Sequence, residues 1–168
     1  MNFRTLLTQV KMLLWSQKTY AQLGEDRLLE HLSRLYERPI ERYLEIGGYH
    51  PVYLSNTYRF YKHGASGVVV EPQSFQASLY RFWRPRDTVL TKAISPKAGQ
   101  NVTFYEFNPL TLSTCDAVEA KALQKGGAKL MAKHEMSGIT VSEVLTQHLG
   151  GKGPDVLSLD IEGGELEI

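Results

Sequence analysis

Residues 42–51 read RYLEIGGYHP, and residues 156–165 read VLSLDIEGGE. Each is a short apolar run that ends on an acidic residue and passes into glycine, which is how a buried strand delivers a carboxylate to a turn where the backbone can approach a ligand. A third run, GVVVEP at residues 67–72, repeats the pattern with Glu71 and Pro72 at its end. The segments between these runs carry apolar residues at helical spacing. Residues 52–63 are expected to form a helix closed by Gly64, and residues 74–84 one with Phe75, Leu79, Phe82 and Trp83 on a single face. Strands alternating with helices predict a parallel sheet covered on both faces, because parallel strands need crossover connections. In such sheets ligands bind beyond the carboxyl ends of the strands, where strand order reverses. All three acidic turns sit at such ends.

The remaining chain is less regular. Leu6, Val10, Leu13 and Leu14 predict an amphipathic helix with no cleavage site after it, and a second helix follows LGED (residues 23–26) and stops at Pro39. Residues 88–95 and 101–107 are expected to pair as a hairpin across the PKAGQ turn. Residues 115–134 favour helix by composition, broken at Gly126 and Gly127. A short helix starts near Ser142, a residue suited to cap it. Residues 1–38 are expected to be an N-terminal helical segment and residues 39–168 one α/β domain.

Size and charge exclude several functions. A chain of 168 residues suits one domain. A formal charge of +1 gives no general attraction to nucleic acid, and no apolar run approaches the roughly 18 residues of a transmembrane helix. Cys115 is the only cysteine, so there is no intrachain disulfide or cysteine cluster, which fits a reducing, cytoplasmic setting. Counting from Gly47, the third and sixth positions are Tyr49 and Val52, so the dinucleotide fingerprint fails. A glycine turn without a phosphate-binding pattern, with acids at Glu45, Glu71 and Asp160, suits S-adenosylmethionine better than a phosphate-bearing cofactor.

The blocks AQLGED, YLEIGGYHPVYLSNTYRFYKHGASGVVVEP, TKAIS, VTFYEF, LSTCD, ITVSEVL and LSLDIEGGELEI, in that order, resemble the FkbM-type methyltransferases. The resemblance implies a Rossmann-like class I methyltransferase sheet with helices on both faces, with the family's last strands missing. It implies that Glu45, Gly47 and Gly48 line the methionine part of S-adenosylmethionine, that Glu71 holds the ribose, and that Ala93 lies near adenine. Gln22, Glu25 and Asp26 match a block that closes over the cofactor, with Ala21 where the family usually has serine. The family's chemistry implies O-methylation of a small-molecule acceptor, a sugar or natural-product hydroxyl.

Asp160 is the first candidate to orient or deprotonate that hydroxyl, followed by Glu162; His50 is a candidate general base, or alternatively a group that bonds its own turn. Glu165 fits a first-turn carboxylate favoured by the helix dipole. These acids could hold a divalent metal, though no spacing requires one. Ser113 and Thr114 are candidates for a substrate loop. A non-catalytic Rossmann-like binding module is the alternative. An apolar strand at residues 155–161 left at a sheet edge favours a homo-oligomer.

Overall fold

The structure is a computed structural model that describes residues 19–161. The helix expected at residues 6–14, and the carboxylates Glu162 and Glu165, lie outside the described residues. In chain order, α1 (Glu25–Leu35) precedes β1 (Arg42–Ile46), α2 (Tyr58–Lys62), β2 (Ser66–Val70), α3 (Ser74–Trp83) and β3 (Thr88–Leu90). Then follow β4 (Ala93–Ile94), β5 (Asn101–Asn108), a 3-10 turn (Leu110–Leu112), α4 (Ala117–Lys125), β6 (Lys129–Ile139), α5 (Val141–His148) and β7 (Val156–Leu159).

β1 pairs in parallel with β2 on one side and β7 on the other, so Glu45 stands opposite both Val69 and Ser158. The sheet order is β3-β2-β1-β7. The chain therefore steps outward from β1 to β3 and returns to the far side of β1, which makes the β1/β7 boundary the switch point. Tyr43, Leu44, Glu45 and Ile46 are all buried, as expected of a strand covered on both faces. Side chains alternate across it. Leu44 and Ile46 pack with Val68, Val70, Val144 of α5 and Leu149 just past it. Tyr43 packs on the opposite face with Phe60, Tyr61 and Val156.

Four expectations need correction. The helix at residues 52–63 is confined to α2, because Tyr49 and Leu54 adopt left-handed backbone (φ 44 and 57) and the chain turns until Thr57. The hairpin between residues 88–95 and 101–107 does not form. β6 lies between β4 and β5, parallel to the first and antiparallel to the second. Gly138 makes that insertion fit, since a Cβ there would stand 2.6 Å from the Ser95 side chain and 2.8 Å from the Gln100 carbonyl.

Residues 129–134 are strand, not helix. Their lysine, methionine and alanine favour helix locally, but pairing with β5 overrides that preference. The cross-strand contacts include His134 with Glu106 at 2.9 Å and Thr103 donating to Glu135 at 2.6 Å. At α5 the cap is Thr140 rather than Ser142. Its hydroxyl accepts the Glu143 N–H at 3.1 Å while the Glu143 carboxylate accepts the Thr140 N–H at 2.9 Å, a reciprocal capping box.

The aromatic spacing in α3 does mark one face, but that face looks outward. Gln76, Ala77 and Tyr80 are buried, whereas Phe75, Phe82 and Trp83 are exposed. On the inward face the Tyr80 hydroxyl donates to the buried Glu45 carboxylate.

Candidate active site at the ends of β1 and β2

Glu45 points from β1 toward α2 and α3, and it is 2% exposed. An isolated carboxylate could not remain there. Its Oε1 accepts from Ser55 Oγ at 3.3 Å, and its Oε2 accepts from Thr57 Oγ1 at 2.5 Å, Tyr80 OH at 3.3 Å and Arg84 Nη1 at 3.2 Å. Arg84 is fully buried just past α3. It also donates to Asp87 at 2.7 Å, to Thr57 at 2.8 Å and to Ser55 at 3.2 Å, and its guanidinium lies 4.9–5.3 Å from the ring centres of Tyr43, Tyr61 and Tyr80. Burial pushes the Glu45 carboxyl up, with Arg84 and the Thr57 hydroxyl opposing. Arg84, desolvated but flanked by Glu45, Tyr43 and Asp87, is held protonated.

This network fixes the floor of the turn. Gly47 sits on it with φ 78, its N–H bonded to the Val70 carbonyl at 3.0 Å. A Cβ on Gly47 would fall 1.7 Å from the Asp160 carbonyl oxygen. Both the left-handed backbone and the approach of β7 therefore demand glycine. Gly47→Ala is expected to abolish folding, whereas Gly64→Ala, also left-handed (φ 102) but with nothing within 4 Å, is expected to cost only about 1 kcal/mol. Thermal melts of both variants check the contrast; comparable melting temperatures would sink it.

Above the turn lies a cavity of about 180 Å³ lined by Gln22, Glu25, Glu45, Gly47, Glu71, Ala93 and Asp160. Tyr49, Asn56 and Gln73 join them, and the segment after β5 contributes Leu110, Thr111, Ser113, Thr114 and Cys115. That segment is tied down by paired bonds between Tyr105 and Thr114 (2.8 and 3.1 Å) and by Ser113 Oγ, which accepts the Phe107 N–H at 3.1 Å. Next to Glu25 in α1, Asp26 is buried and accepts from Thr19 Oγ1 at 2.6 Å, the Tyr20 N–H at 3.0 Å and Arg59 at 3.1 Å. Burial works against its charge, but these bonds hold its carboxyl below the usual range. The loop carrying Gln22 is thereby anchored to α1.

Glu71 is the focal group. Its Oε2 accepts the Tyr49 N–H at 2.9 Å and its Oε1 the Gln73 N–H at 2.7 Å, so each oxygen keeps a lone pair for a ligand. Burial raises its pKa to about 7, with Glu45 adding and the two N–H bonds opposing. Burial likewise pushes the Cys115 thiol up to about 11, with Glu71 contributing, which leaves it protonated at neutral pH and inert as a nucleophile.

Two expected residues take other places. Gly48 does not line the cavity; a Cβ there would stand 2.6 Å from Tyr80 OH and 2.9 Å from Val69, so its smallness serves packing. His50 lies off the cavity, and its Nδ1 accepts the N–H groups of Val52 at 3.1 Å and Tyr53 at 3.0 Å. Burial lowers its pKa, so the ring stays neutral at pH 7, consistent with bonding its own turn. Arg84, Asp87 and Tyr80 were not visible as site residues in the sequence, because an arginine after a helix reads as a solvated end. Among the described residues no three His, Cys, Asp or Glu side chains cluster as a metal site would need.

A parallel sheet with acids at adjacent strand ends, a glycine turn at the switch point and a cavity above them together define a Rossmann-like methyltransferase fold. The chain belongs to the family described as the methyltransferase FkbM domain, whose family model matches residues 45–168. Comparison with curated proteins and with solved structures returns no match. No helix among the described residues is long and apolar enough to cross a membrane.

Proposed function

We propose that this chain binds S-adenosylmethionine in the cavity and methylates a hydroxyl oxygen of a small acceptor, a sugar or natural product, in the cytoplasm. The observation that carries the proposal is the Glu71 carboxylate, held at the β2 end by two backbone N–H groups and facing the cavity. That arrangement suits a ribose diol, whose two hydroxyls would donate to the two oxygens. Gly47 admits a ligand close to the backbone, and Gln22 on the anchored loop and Glu25 at the start of α1, which also line the cavity, would cover the amino-acid end. Ala93 leaves space for a flat base beside Ile94 and Phe104, which also line the cavity.

When bound, S-adenosylmethionine supplies a methyl group activated for in-line displacement. The protein's task is then alignment, which can contribute several orders of magnitude in effective concentration. Asp160, which follows β7 and lines the cavity, would orient the acceptor hydroxyl and take its proton.

The test is calorimetric titration of the protein with S-adenosylhomocysteine, alongside Glu71→Ala. Saturable binding is expected, weakened by about a hundredfold or more in the variant, since each charged hydrogen bond contributes roughly 1.5–3 kcal/mol. Equal affinity in both proteins would refute the ribose assignment. A screen of sugar hydroxyls for methyl transfer, with Asp160→Asn as comparison, then addresses the acceptor.

A further inference from the structure

We propose that the outward face of α3 is a docking surface for an anionic lipid bilayer. Phe75, Phe82 and Trp83 are 69%, 76% and 55% exposed, and at separations of seven and eight residues they share one side of the helix. Phe82 and Trp83 pack edge to face with centroids 5.6 Å apart, forming one aromatic plate rather than scattered apolar residues.

Charge selects the occupant. Residues 72–86 contain three arginines and no acidic residue. Arg84 is buried against Glu45 and Asp87, but Arg81 and Arg86, next to Phe82 and three residues past Trp83 in sequence, are exposed. Arg81 donates to Thr91 Oγ1 at 2.7 Å, Arg86 lies 3.9 Å over the Tyr61 ring, and neither forms an ion pair among the described residues.

Two other occupants are disfavoured by charge. A second copy would bring its own Arg81 and Arg86 against these two. The chain's residues 1–18 hold Arg4, Lys11 and Lys18 and no acid, so they too repel this face. An anionic headgroup layer complements the arginines, while phenylalanine and tryptophan suit its boundary with the acyl chains. Gln73, the residue before α3, also lines the cavity, so a bilayer along α3 lies within one helix length of it, about 15 Å for ten residues. An acceptor carried on a lipid would be delivered there. The docking surface itself does not depend on the cofactor assignment.

The sequence has two tryptophans, so Trp15→Phe in the full chain leaves Trp83 as the sole emitter. Vesicles of phosphatidylcholine with an equal share of phosphatidylglycerol are expected to shift its emission to the blue. Brominated acyl chains are expected to quench it, and added salt to reverse both effects. Vesicles of phosphatidylcholine alone are expected to do neither. The double variant Phe75→Ser and Phe82→Ser, whose sites are exposed, is expected to keep the melting temperature and to lose about tenfold or more in co-sedimentation. Binding without a change at Trp83, or undiminished binding of the double variant, overturns the proposal. So does a Trp83 already shielded in buffer; dependence of that shielding on protein concentration would identify a second copy as the occupant, and independence the chain's own N-terminal segment.

Discussion

Arg84→Met is expected to cost about 3–5 kcal/mol of folding stability, because removing one partner of a buried charge cluster strands the others. Two carboxylates depend on this one guanidinium: Glu45 at 3.2 Å and Asp87 at 2.7 Å, with side chains 3% and 0% exposed. Domain stabilities are about 5–15 kcal/mol, so the variant would sit near the folding threshold. Lysine should not rescue it, since a single ammonium cannot reach Glu45, Asp87, Thr57 and Ser55 together. The pH dependence is diagnostic. Without the cation, the Glu45 carboxyl, which burial already pushes up and Arg84 opposes, rises further above its unfolded value, so the folded state holds a proton the unfolded chain releases and stability falls as pH rises. Acidification should therefore partly restore Arg84→Met, down to the range where ordinary carboxylates titrate. Urea midpoints at pH 5 and pH 8 measure this, and a variant within 1 kcal/mol of wild type at both would dismiss the cluster as a structural keystone.

That cluster also shows where sequence stops being informative. The strands of the parallel sheet were legible because β1, β2 and β7 are apolar runs ending in an acid and a turn residue, glycine after β1 and β7 and Pro72 after β2, and burial enforces such runs. The side chain that neutralises Glu45 was not legible, because Arg84 reaches it across 39 residues of chain. The same contact inverted α3. Tyr80 turns inward and donates to the buried Glu45, and Phe75, Phe82 and Trp83 are left outside. The first half of β6 escaped for a different reason: residues 129–134 have the local preferences of a helix and are strand only because β5 is beside them. At the site, Glu71 could be placed at a strand end from sequence. The backbone donors of Tyr49 and Gln73 that aim it, and the segment from Leu110 to Cys115 that walls the cavity, depend on tertiary structure.

Glu71 offers the sharpest test, since one group should tie stability and ligand affinity to pH in opposite directions. Its pKa is raised from 4.5 to about 7 by burial. Between those values the folded protein holds a proton that the unfolded chain has released, so this group's contribution to stability falls as pH rises from about 4.5 to about 7 and is constant above. The full span is about 3 kcal/mol. Glu71→Gln lacks the titration. Relative to wild type it should therefore gain up to that amount between pH 5 and pH 8, offset by a constant penalty for the backbone N–H its amide cannot accept. Binding of S-adenosylhomocysteine runs the other way. Ribose hydroxyls donate to an ionised carboxylate, so affinity should be level above about pH 7 and drop by up to about tenfold per unit below it. At pH 7 complex formation should release about half a proton, visible as a binding heat that changes with the ionisation enthalpy of the buffer. Glu71→Gln should bind weakly at every pH and release none. An affinity that stays flat from pH 6 to pH 8, with Glu71→Gln binding as tightly as wild type, would mean that the ribose is held elsewhere and that the raised carboxyl is only a cost of folding this turn.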